Sequence, residues 1–212
     1  ARPYLYSDQE IRRLLRAALT LPAKGGLRAW TYHGLFGLLS VSGLRLGEAR
    51  NLHLQDVDLD AAVLTIRGTK FGKSRLVPLH GSTRDVLADY LARRQRRWAS
   101  RPVSSYVFVS NRGNRLDVGE IHRTFYVVSR QIGLRGPLDS HGPRLHDLRH
   151  RFAVKTLWRW YRAGEDAERR LPVLSAYLGH VHVRDTYWYL SAWPELMQEA
   201  MSRLERRWEG RP

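Results

Sequence analysis

The sequence predicts a mainly helical α+β domain with one small antiparallel β-sheet. Most segments repeat apolar residues at helical spacing, and a central stretch between residues 62 and 79 changes to a β-like pattern. With 212 residues and a hydrophobic fraction of 43%, the chain can bury a sizeable core. The sequence shows no internal repeat or obvious linker, so a single domain over residues 1–212 is the simplest organisation.

Helices are predicted wherever apolar residues recur three or four positions apart. In chain order they cover about 8–20, 28–42, 43–49, 82–98, 117–132, 146–163, 169–178 and 194–208. Ser7 and Glu10 form a capping-box pattern that starts the first helix, and a Pro- and Gly-containing loop at 21–26 ends it. Pro194 suits the first turn of the last helix.

Two β-like segments, 62–67 and 75–79, flank a Gly- and Lys-containing loop at 68–74. This arrangement predicts a hairpin with a basic tip. A further short strand is expected at 106–109, and residues 56–60 are expected to form a turn.

The composition points to a polyanionic partner. The formal net charge is +16, which favours nucleic acid over the alternative of an anionic membrane surface. The chain contains no cysteine, which excludes disulfides, thiol nucleophiles and cysteine–zinc sites and fits a cytoplasmic protein. No apolar run reaches the roughly 20 residues of a membrane span. The few lysines are Lys24, Lys70, Lys73 and Lys155.

Several segments carry the residue types that a tyrosine nucleophile would need on a phosphodiester. A tyrosine hydroxyl is a weak nucleophile because its unperturbed pKa is about 10, so arginines must stabilise the developing charge and an acid must protonate the leaving oxygen. His146 and Arg149 share one helix face, and His180 follows a glycine suited to a helix C-cap. The candidates are Arg45, Lys70, His146, Arg149, His180 and Tyr189.

In order and spacing, these residues resemble the signature of the tyrosine recombinases, the phage-integrase and Xer-like family. The resemblance extends over nearly the whole chain and includes Gly-Leu-Arg-Leu-Gly-Glu around Arg45 and Arg-Leu-Val-Pro-Leu after the hairpin loop. It implies the tyrosine recombinase catalytic-domain fold. The separate N-terminal domain of the family is not apparent in this sequence.

The resemblance implies a role for each candidate. Tyr189 would attack the scissile phosphate and form a 3′-phosphotyrosyl link, while Arg45 and Arg149 would hold its non-bridging oxygens. Lys70 would protonate the 5′-oxygen as it leaves. No cofactor, metal or ATP is implied, because the covalent link conserves the energy of the broken bond.

Two histidines are implied to hydrogen-bond the phosphate, His146 and His180, and His146 is also a candidate to accept the tyrosine proton. His146 and His150 lie four residues apart, as metal-binding pairs do. The lack of cysteine and of a glutamate in the zincin position argues against a metal site.

Two assignments have a close rival. Lys73 shares the hairpin loop with Lys70, and we favour Lys70. Tyr187 lies two residues before Tyr189, and the spacing from His180 favours Tyr189. The segment between His180 and Tyr189 lacks a strong helical pattern, so we expect the tyrosine to be mobile and poorly placed without DNA.

Further residues are predicted to support the site or to contact double-stranded DNA. Glu48 and Asp56 are expected to orient the arginines or the turn. Arg151 stands where relatives often have a small or hydroxyl residue. The predicted DNA contacts are Lys73, Arg75, Arg151, His182 and Arg184.

The resemblance also implies assembly on DNA as a dimer or tetramer, with a monomer expected off DNA. The final segment, 194–212, would dock on a neighbouring protomer or on its own domain. The enzyme hypotheses are a site-specific recombinase or integrase, a type IB topoisomerase-like enzyme and a resolvase. The alternative is a non-catalytic DNA-binding protein with the same fold.

Overall fold

The computed structural model describes residues 3–23, 26–68, 74–139 and 141–192. The α-helices are α1 Asp8–Leu19, α2 Arg28–Ser42, α3 Leu46–Arg50, α4 Gly81–Arg97, α5 Val118–Gln131, α6 Leu145–Arg162, α7 Ala167–Leu178 and α8 Arg184–Ala192. The strands are β1 Val57–Asp58, β2 Val63–Ile66 and β3 Arg75–Pro78. The predicted mainly helical α+β class is therefore confirmed. Within these ranges, no helix is long and apolar enough to cross a membrane.

The sheet is a three-stranded antiparallel meander in the order β1-β2-β3. Leu64 in β2 pairs with Val57 in β1 and with Val77 in β3. Leu64 and Val77 are both buried, so this face of the sheet packs on the core. The β2–β3 hairpin is the one that the sequence predicts.

Two glycines end helices in the left-handed conformation and bring distant segments together. Gly43 ends α2 with φ 61°, and Gly179 ends α7 with φ 67°. A Cβ atom at Gly43 would lie 2.5 Å from Phe152 Cδ1, so a side chain there would clash with α6. The turn after α2 can therefore approach α6 closely only because residue 43 is glycine.

The structure corrects three of the predicted elements. Val57 and Asp58, inside the turn expected at 56–60, form strand β1 and pair with β2. Residues 106–109 form isolated bridges, His53 with Tyr106 and Val109 with Arg115, rather than a strand. Val107 and Phe108 are buried, which explains the apolar pattern without a ladder. The segment that we expected to be irregular contains α8. The predicted helix at 194–208 lies outside the described residues.

The buried apolar residues form two clusters. The larger one joins α1 to α5, the sheet and the first turn of α6, and ends at Leu148. The smaller one begins at Ala153 and joins the rest of α6 to α7 and α8, including Tyr189. Arg149 lies on α6 between these two positions, so it stands where the clusters meet.

Candidate active site

Arg45 is fixed at the start of α3, directly after the turn that ends α2. Its backbone N–H donates to one oxygen of Glu48 at 2.8 Å, and its Nη1 donates to the other oxygen at 3.1 Å. The guanidinium also donates to the carbonyls of Leu178 at 3.3 Å and Gly179 at 3.0 Å. The side chain stays partly exposed, so it can still contact a ligand.

Arg149 lies in the second turn of α6 and is only 2% exposed. Its Nη1 donates to the Gly43 carbonyl at 2.7 Å, and its Nη2 donates to the Leu178 carbonyl at 2.7 Å. Burial and the neighbouring Arg45 guanidinium lower the pKa of Arg149 to about 10, which leaves the group charged at neutral pH. The two arginines that the sequence analysis paired thus share one acceptor.

The C-terminal end of α7 is the common acceptor for three arginines, Arg45, Arg75 and Arg149. The last carbonyls of a helix lack partners within the helix and carry a partial negative charge. The accepting carbonyls are those of Tyr177, Leu178 and Gly179. The helix end therefore holds the guanidinium groups side by side against their mutual repulsion.

Glu48 is the carboxylate that links Arg45 and Arg75. Arg75 donates Nη1 and Nη2 to its two oxygens at 2.9 and 2.8 Å, and donates Nε to the Tyr177 carbonyl at 2.7 Å. Burial alone would raise the pKa of Glu48, but the hydrogen bonds from Arg75 and from the Arg45 backbone hold it below its usual range. Glu48 orients the arginines, as expected, whereas Asp56 binds Arg67 at 2.6 Å and closes its own turn.

We call Arg45, Glu48, Arg75 and Arg149 the arginine cluster. The cluster contains three guanidinium groups and one carboxylate, so it carries a net positive charge. The Arg75 side chain is only 12% exposed and its donors point inward. Because Nε, Nη1 and Nη2 of Arg75 all donate to Glu48 or to the Tyr177 carbonyl, the prediction that Arg75 contacts DNA is revised. The partly exposed Arg45 beside Arg149 suits an oxyanion with two non-bridging oxygens.

Tyr189 projects from α8 into this cluster and is 2% exposed. Its hydroxyl lies 3.2 Å from His150 Nδ1 and within the field of the Arg149 guanidinium. Burial raises the pKa of Tyr189, although the charges of Arg149 and Arg45 oppose that rise. The hydroxyl is therefore protonated at neutral pH.

The placement of Tyr189 corrects the expectation of a poorly placed nucleophile. The tyrosine belongs to a helix and already lies against Arg149. The rival Tyr187 is 50% exposed on the same helix. The geometry therefore supports Tyr189 rather than Tyr187 at the site.

His180 lies beside the tyrosine, directly after the glycine that ends α7. Its ring is nearly parallel to that of Tyr189, at 11° with centroids 6.3 Å apart. Its Nδ1 lies 2.8 Å from the hydroxyl of the buried Thr186 on α8. Burial, together with the Arg149 and Arg45 charges, lowers the pKa of His180 to about 4, so the ring is neutral at pH 7.

His146 and His150 share one face of α6, and their rings meet edge to face with centroids 4.6 Å apart. His146 is exposed at the surface of the site. Desolvation and the Arg149 charge lower its pKa. The histidine next to the Tyr189 hydroxyl is His150, whereas the sequence analysis nominated His146 to accept the tyrosine proton.

The remaining predicted DNA contacts differ in exposure. Arg151 is 7% exposed, because its guanidinium bonds the Tyr6 carbonyl at 2.8 Å and pairs with Asp8. The predicted DNA contact at Arg151 is revised for that reason, and its role is to hold the N-terminal lead-in against α6. His182 and Arg184 are exposed near the start of α8.

Lys70 and Lys73 lie outside the described residues, so their roles stay predictions. Gly68, the last described residue before their loop, lines a cleft of about 720 Å³. Arg45 lines the same cleft. The stem of the hairpin therefore starts next to the arginine cluster.

Sequence reasoning missed two residues of this site. His150 was considered only as half of a metal pair, although its spacing from His146 does place it on the same helix face. Thr186 gave no signal, because a lone threonine is common in helices and its partner depends on how α7 turns into α8. The inward bonds of Arg75 were also invisible in a chain so rich in arginine.

A family model described as the phage integrase family matches residues 5–195. The y4rB protein of Sinorhizobium fredii is 70% identical over 214 residues, covering 100% of this chain and 68% of that protein. The tyrosine recombinase XerC of Thermodesulfovibrio yellowstonii is 33% identical over 195 residues, covering 86% of this chain and 60% of that protein.

The fold is similar to that of a solved recombinase. The crystal structure of XerA recombinase superposes with a TM-score of 0.73 at 27% identity. The match covers 96% of this chain and 65% of the XerA chain. The chain thus spans about two thirds of the length of these relatives.

Proposed function

The chain belongs to the phage integrase family, and we propose that it is a site-specific tyrosine recombinase that breaks and rejoins double-stranded DNA. The observation that carries the proposal is the burial of the Tyr189 hydroxyl against Arg149 and within the field of Arg45. A phenol placed beside two guanidinium groups is positioned to attack a group that those guanidinium groups bind.

The proposed cleavage step begins when a DNA phosphate enters the arginine cluster. Arg45 and Arg149 bind the two non-bridging oxygens, where negative charge builds up as the tyrosine oxygen approaches phosphorus. Their donors are already oriented by the α7 carbonyls, so little reorganisation is needed during the reaction. His180, held by Thr186, adds a donor to the same phosphate.

Cleavage leaves the 3′-phosphate on Tyr189 and frees the 5′-oxygen. We assign the protonation of that oxygen to Lys70, whose loop starts beside the Arg45 cleft. A 5′-hydroxyl of a partner strand then attacks the phosphotyrosyl link and reseals the DNA. The link conserves the energy of the phosphodiester, so the proposed reaction needs neither ATP nor metal.

We extend the proposal to the DNA substrate, the assembly state and the cellular location. The formal charge of +16 and the exposed His182 and Arg184 favour double-stranded DNA as the substrate. Strand exchange requires protomers on both duplexes, so we propose a dimer or tetramer on DNA, a monomer off DNA, and action in the cytoplasm. Segment 194–212 remains our candidate for docking between protomers.

A covalent-trapping experiment tests the proposal. The protein is incubated with a library of nicked duplexes of randomised sequence, and DNA that stays attached after denaturation is recovered and sequenced. We expect an enriched sequence whose adduct disappears in Tyr189→Phe and persists in Tyr187→Phe. No adduct with any DNA that the protein binds would favour the non-catalytic alternative and overturn the proposal.

Assays of plasmid relaxation and of strand joining separate the other enzyme classes. A type IB topoisomerase-like enzyme would relax supercoiled plasmid without a preferred sequence. A recombinase gives joined products from two duplexes that carry the enriched sequence. A resolvase joins such sites only when they lie on one molecule.

A further inference from the structure

The proposed reaction leaves the chemistry of His150 unused. His150 follows Arg149 on α6, and its Nδ1 lies 3.2 Å from the Tyr189 hydroxyl oxygen. The two rings lie 5.5 Å apart, and the Trp188 ring lies 5.4 Å from His150 on the same side. The contact joins the helix that carries Arg149 to the helix that carries the nucleophile.

The direction of this hydrogen bond follows from the donors around the hydroxyl. Arg149 is the charged group whose field acts most strongly on the Tyr189 hydroxyl, and a guanidinium has no acceptor. The hydroxyl proton cannot point at Arg149 and is left to His150 Nδ1. The Nδ1 of His180 faces Thr186, which removes that nitrogen as a rival acceptor.

We propose that His150 accepts the hydrogen bond of the Tyr189 hydroxyl and takes its proton during the attack on the phosphate, an inference that rests on the proposed function. The O–H bond of Tyr189 breaks and the proton moves to His150 Nδ1, while the tyrosine oxygen forms the new bond to phosphorus. The bond from phosphorus to the 5′-oxygen breaks with its electron pair on that oxygen, which takes a proton from the acid assigned to Lys70. Resealing runs the transfer backward.

The surroundings keep His150 in the form that this role requires. Burial and the neighbouring His146, Arg144 and Arg149 lower its pKa to about 4, although Asp147 opposes them. From α8 the Tyr189 hydroxyl faces His150 at hydrogen-bond distance. At neutral pH the ring is uncharged, and an uncharged imidazole keeps one acceptor nitrogen whereas imidazolium has none.

A base as weak as His150 is sufficient, because the tyrosine proton leaves only late in the attack on phosphorus. As the bond to phosphorus forms, the phenolic oxygen loses electron density and its proton becomes strongly acidic. Transfer to His150 then becomes favourable late in the step, within the heavy-atom reach of about 2.6–3.2 Å that general-base catalysis requires. His146 has the less direct position, because it contacts the edge of the His150 ring.

The test measures single-turnover adduct formation on the nicked duplex that the wild-type protein captures. His150→Asn places an amide near the position of Nδ1, so it keeps a polar group there but accepts no proton. His150→Gln places its amide near Nε2, and His122→Asn on α5 is the matched histidine control. We expect adduct rates about 10²-fold lower for His150→Gln, less reduced for His150→Asn, and unchanged for the control.

A second substrate shows on which side of the reaction His150 acts. In a duplex with sulfur in place of the bridging 5′-oxygen, the leaving thiolate needs no proton. On this substrate a variant that lacks Lys70, the assigned acid, should regain its cleavage rate. His150→Asn should keep the same reduction in rate relative to wild type that it shows on the ordinary duplex. DNA affinity and the thermal midpoint of His150→Asn should match those of the wild-type protein.

The outcomes separate this inference from the proposed function. If the wild-type protein forms no adduct, the proposed function fails. If the wild-type protein forms the adduct and both His150→Asn and His150→Gln form it as fast as the wild-type protein does, the role of His150 is wrong. The role is also wrong if the sulfur-containing substrate restores the rates of these variants. A reduced rate that sulfur does not restore supports it.

Discussion

The arginine cluster and the nucleophile helix α8 meet at one site but are held in different ways. The cluster is fixed by charged hydrogen bonds of 2.7–3.1 Å to Glu48 and to buried carbonyls on two turns. Helix α8 is held at the site by neutral contacts: the Tyr189–His150 bond, the Thr186–His180 bond and stacked rings. Hydrogen bonds to charged groups contribute about 1.5–3 kcal/mol, against about 0.5–1.5 kcal/mol for neutral ones.

This difference indicates that the protein's own charged contacts hold the arginine cluster, whereas the position of Tyr189 depends on weaker and titratable contacts. A preformed anion site lowers the reorganisation needed in the transition state. A more weakly held tyrosine can move between cleavage and resealing without disturbing the phosphate site. Substitutions in the arginine cluster and at the contacts of helix α8 test the two regions separately.

The largest effect is expected from Arg149→Ala, which removes both a proposed phosphate ligand and a buried support. Adduct formation should fall by about 10²–10³-fold. The free energy of unfolding should fall by about 3 kcal/mol, because the Gly43 and Leu178 carbonyls lose a charged donor. Urea denaturation and single-turnover kinetics measure the two losses. Arg162→Ala, at the exposed end of α6, is the control, and an unchanged urea midpoint for Arg149→Ala would contradict a structural role.

A contrasting pair of arginines tests exposure against burial. Arg151→Ala should lower the free energy of unfolding by about 2 kcal/mol, because Arg151 binds the Tyr6 carbonyl and Asp8, and should leave DNA affinity unchanged. Arg184→Ala should leave stability unchanged and reduce the salt slope of DNA binding by about 1. Binding to the captured duplex at several salt concentrations measures both. The reverse pattern would restore Arg151 as a DNA contact.

The contacts that hold helix α8 at the site should be sensitive to acid. The pKa values of His150 and His180 are both lowered to about 4, against an ordinary value of about 6.5. As the pH falls, the unfolded chain therefore binds protons first, so stability is lost progressively from about pH 6.5 toward about pH 4. Histidine NMR signals, assigned with His150→Asn and His180→Asn, should show neutral rings at pH 5.5. A midpoint near 6.5 for either ring would contradict the burial argument.

The smallest effect is expected from Thr186→Val, which removes the hydroxyl that faces His180 and preserves the shape of the side chain. Losing one neutral hydrogen bond of about 0.5–1.5 kcal/mol predicts an adduct rate about 3–10-fold lower, with DNA affinity unchanged. Thr156→Val on α6 is the control, because its hydroxyl bonds only the Phe152 carbonyl among the contacts found. Equal rates for the two variants would show that Thr186 does not position His180.

Much of the fold follows from local sequence signals. The Ser7–Glu10 capping box and the β2–β3 hairpin appear as predicted, because their causes lie within a few residues. Helix α8 was missed because its apolar face is short and is completed by α6 and α7, which a local pattern cannot reveal. The apolar run around Phe108 has the pattern of a buried strand because its side chains are buried. Its backbone forms only isolated bridges and pairs with no named strand.

The site was predictable where residue type and order decide the chemistry, and less so where tertiary contacts decide it. Arg45 and Arg149 come together as the pattern suggests. The inward turn of Arg75 depends on Glu48 and the Tyr177 carbonyl, which is about a hundred residues away in the chain. That His150 rather than His146 lies next to the Tyr189 hydroxyl depends on where α8 packs, so only the structure could reveal it.

Locating the covalent bond tests the central claim most directly. The adduct with the captured duplex is digested with nuclease and trypsin, and the nucleotide-bearing peptide is fragmented in a mass spectrometer. Tryptic peptide 185–203 contains both Tyr187 and Tyr189, so a single spectrum distinguishes them. We predict a nucleotide attached through phosphate to Tyr189. A nucleotide on Tyr187 or on another peptide would contradict the account.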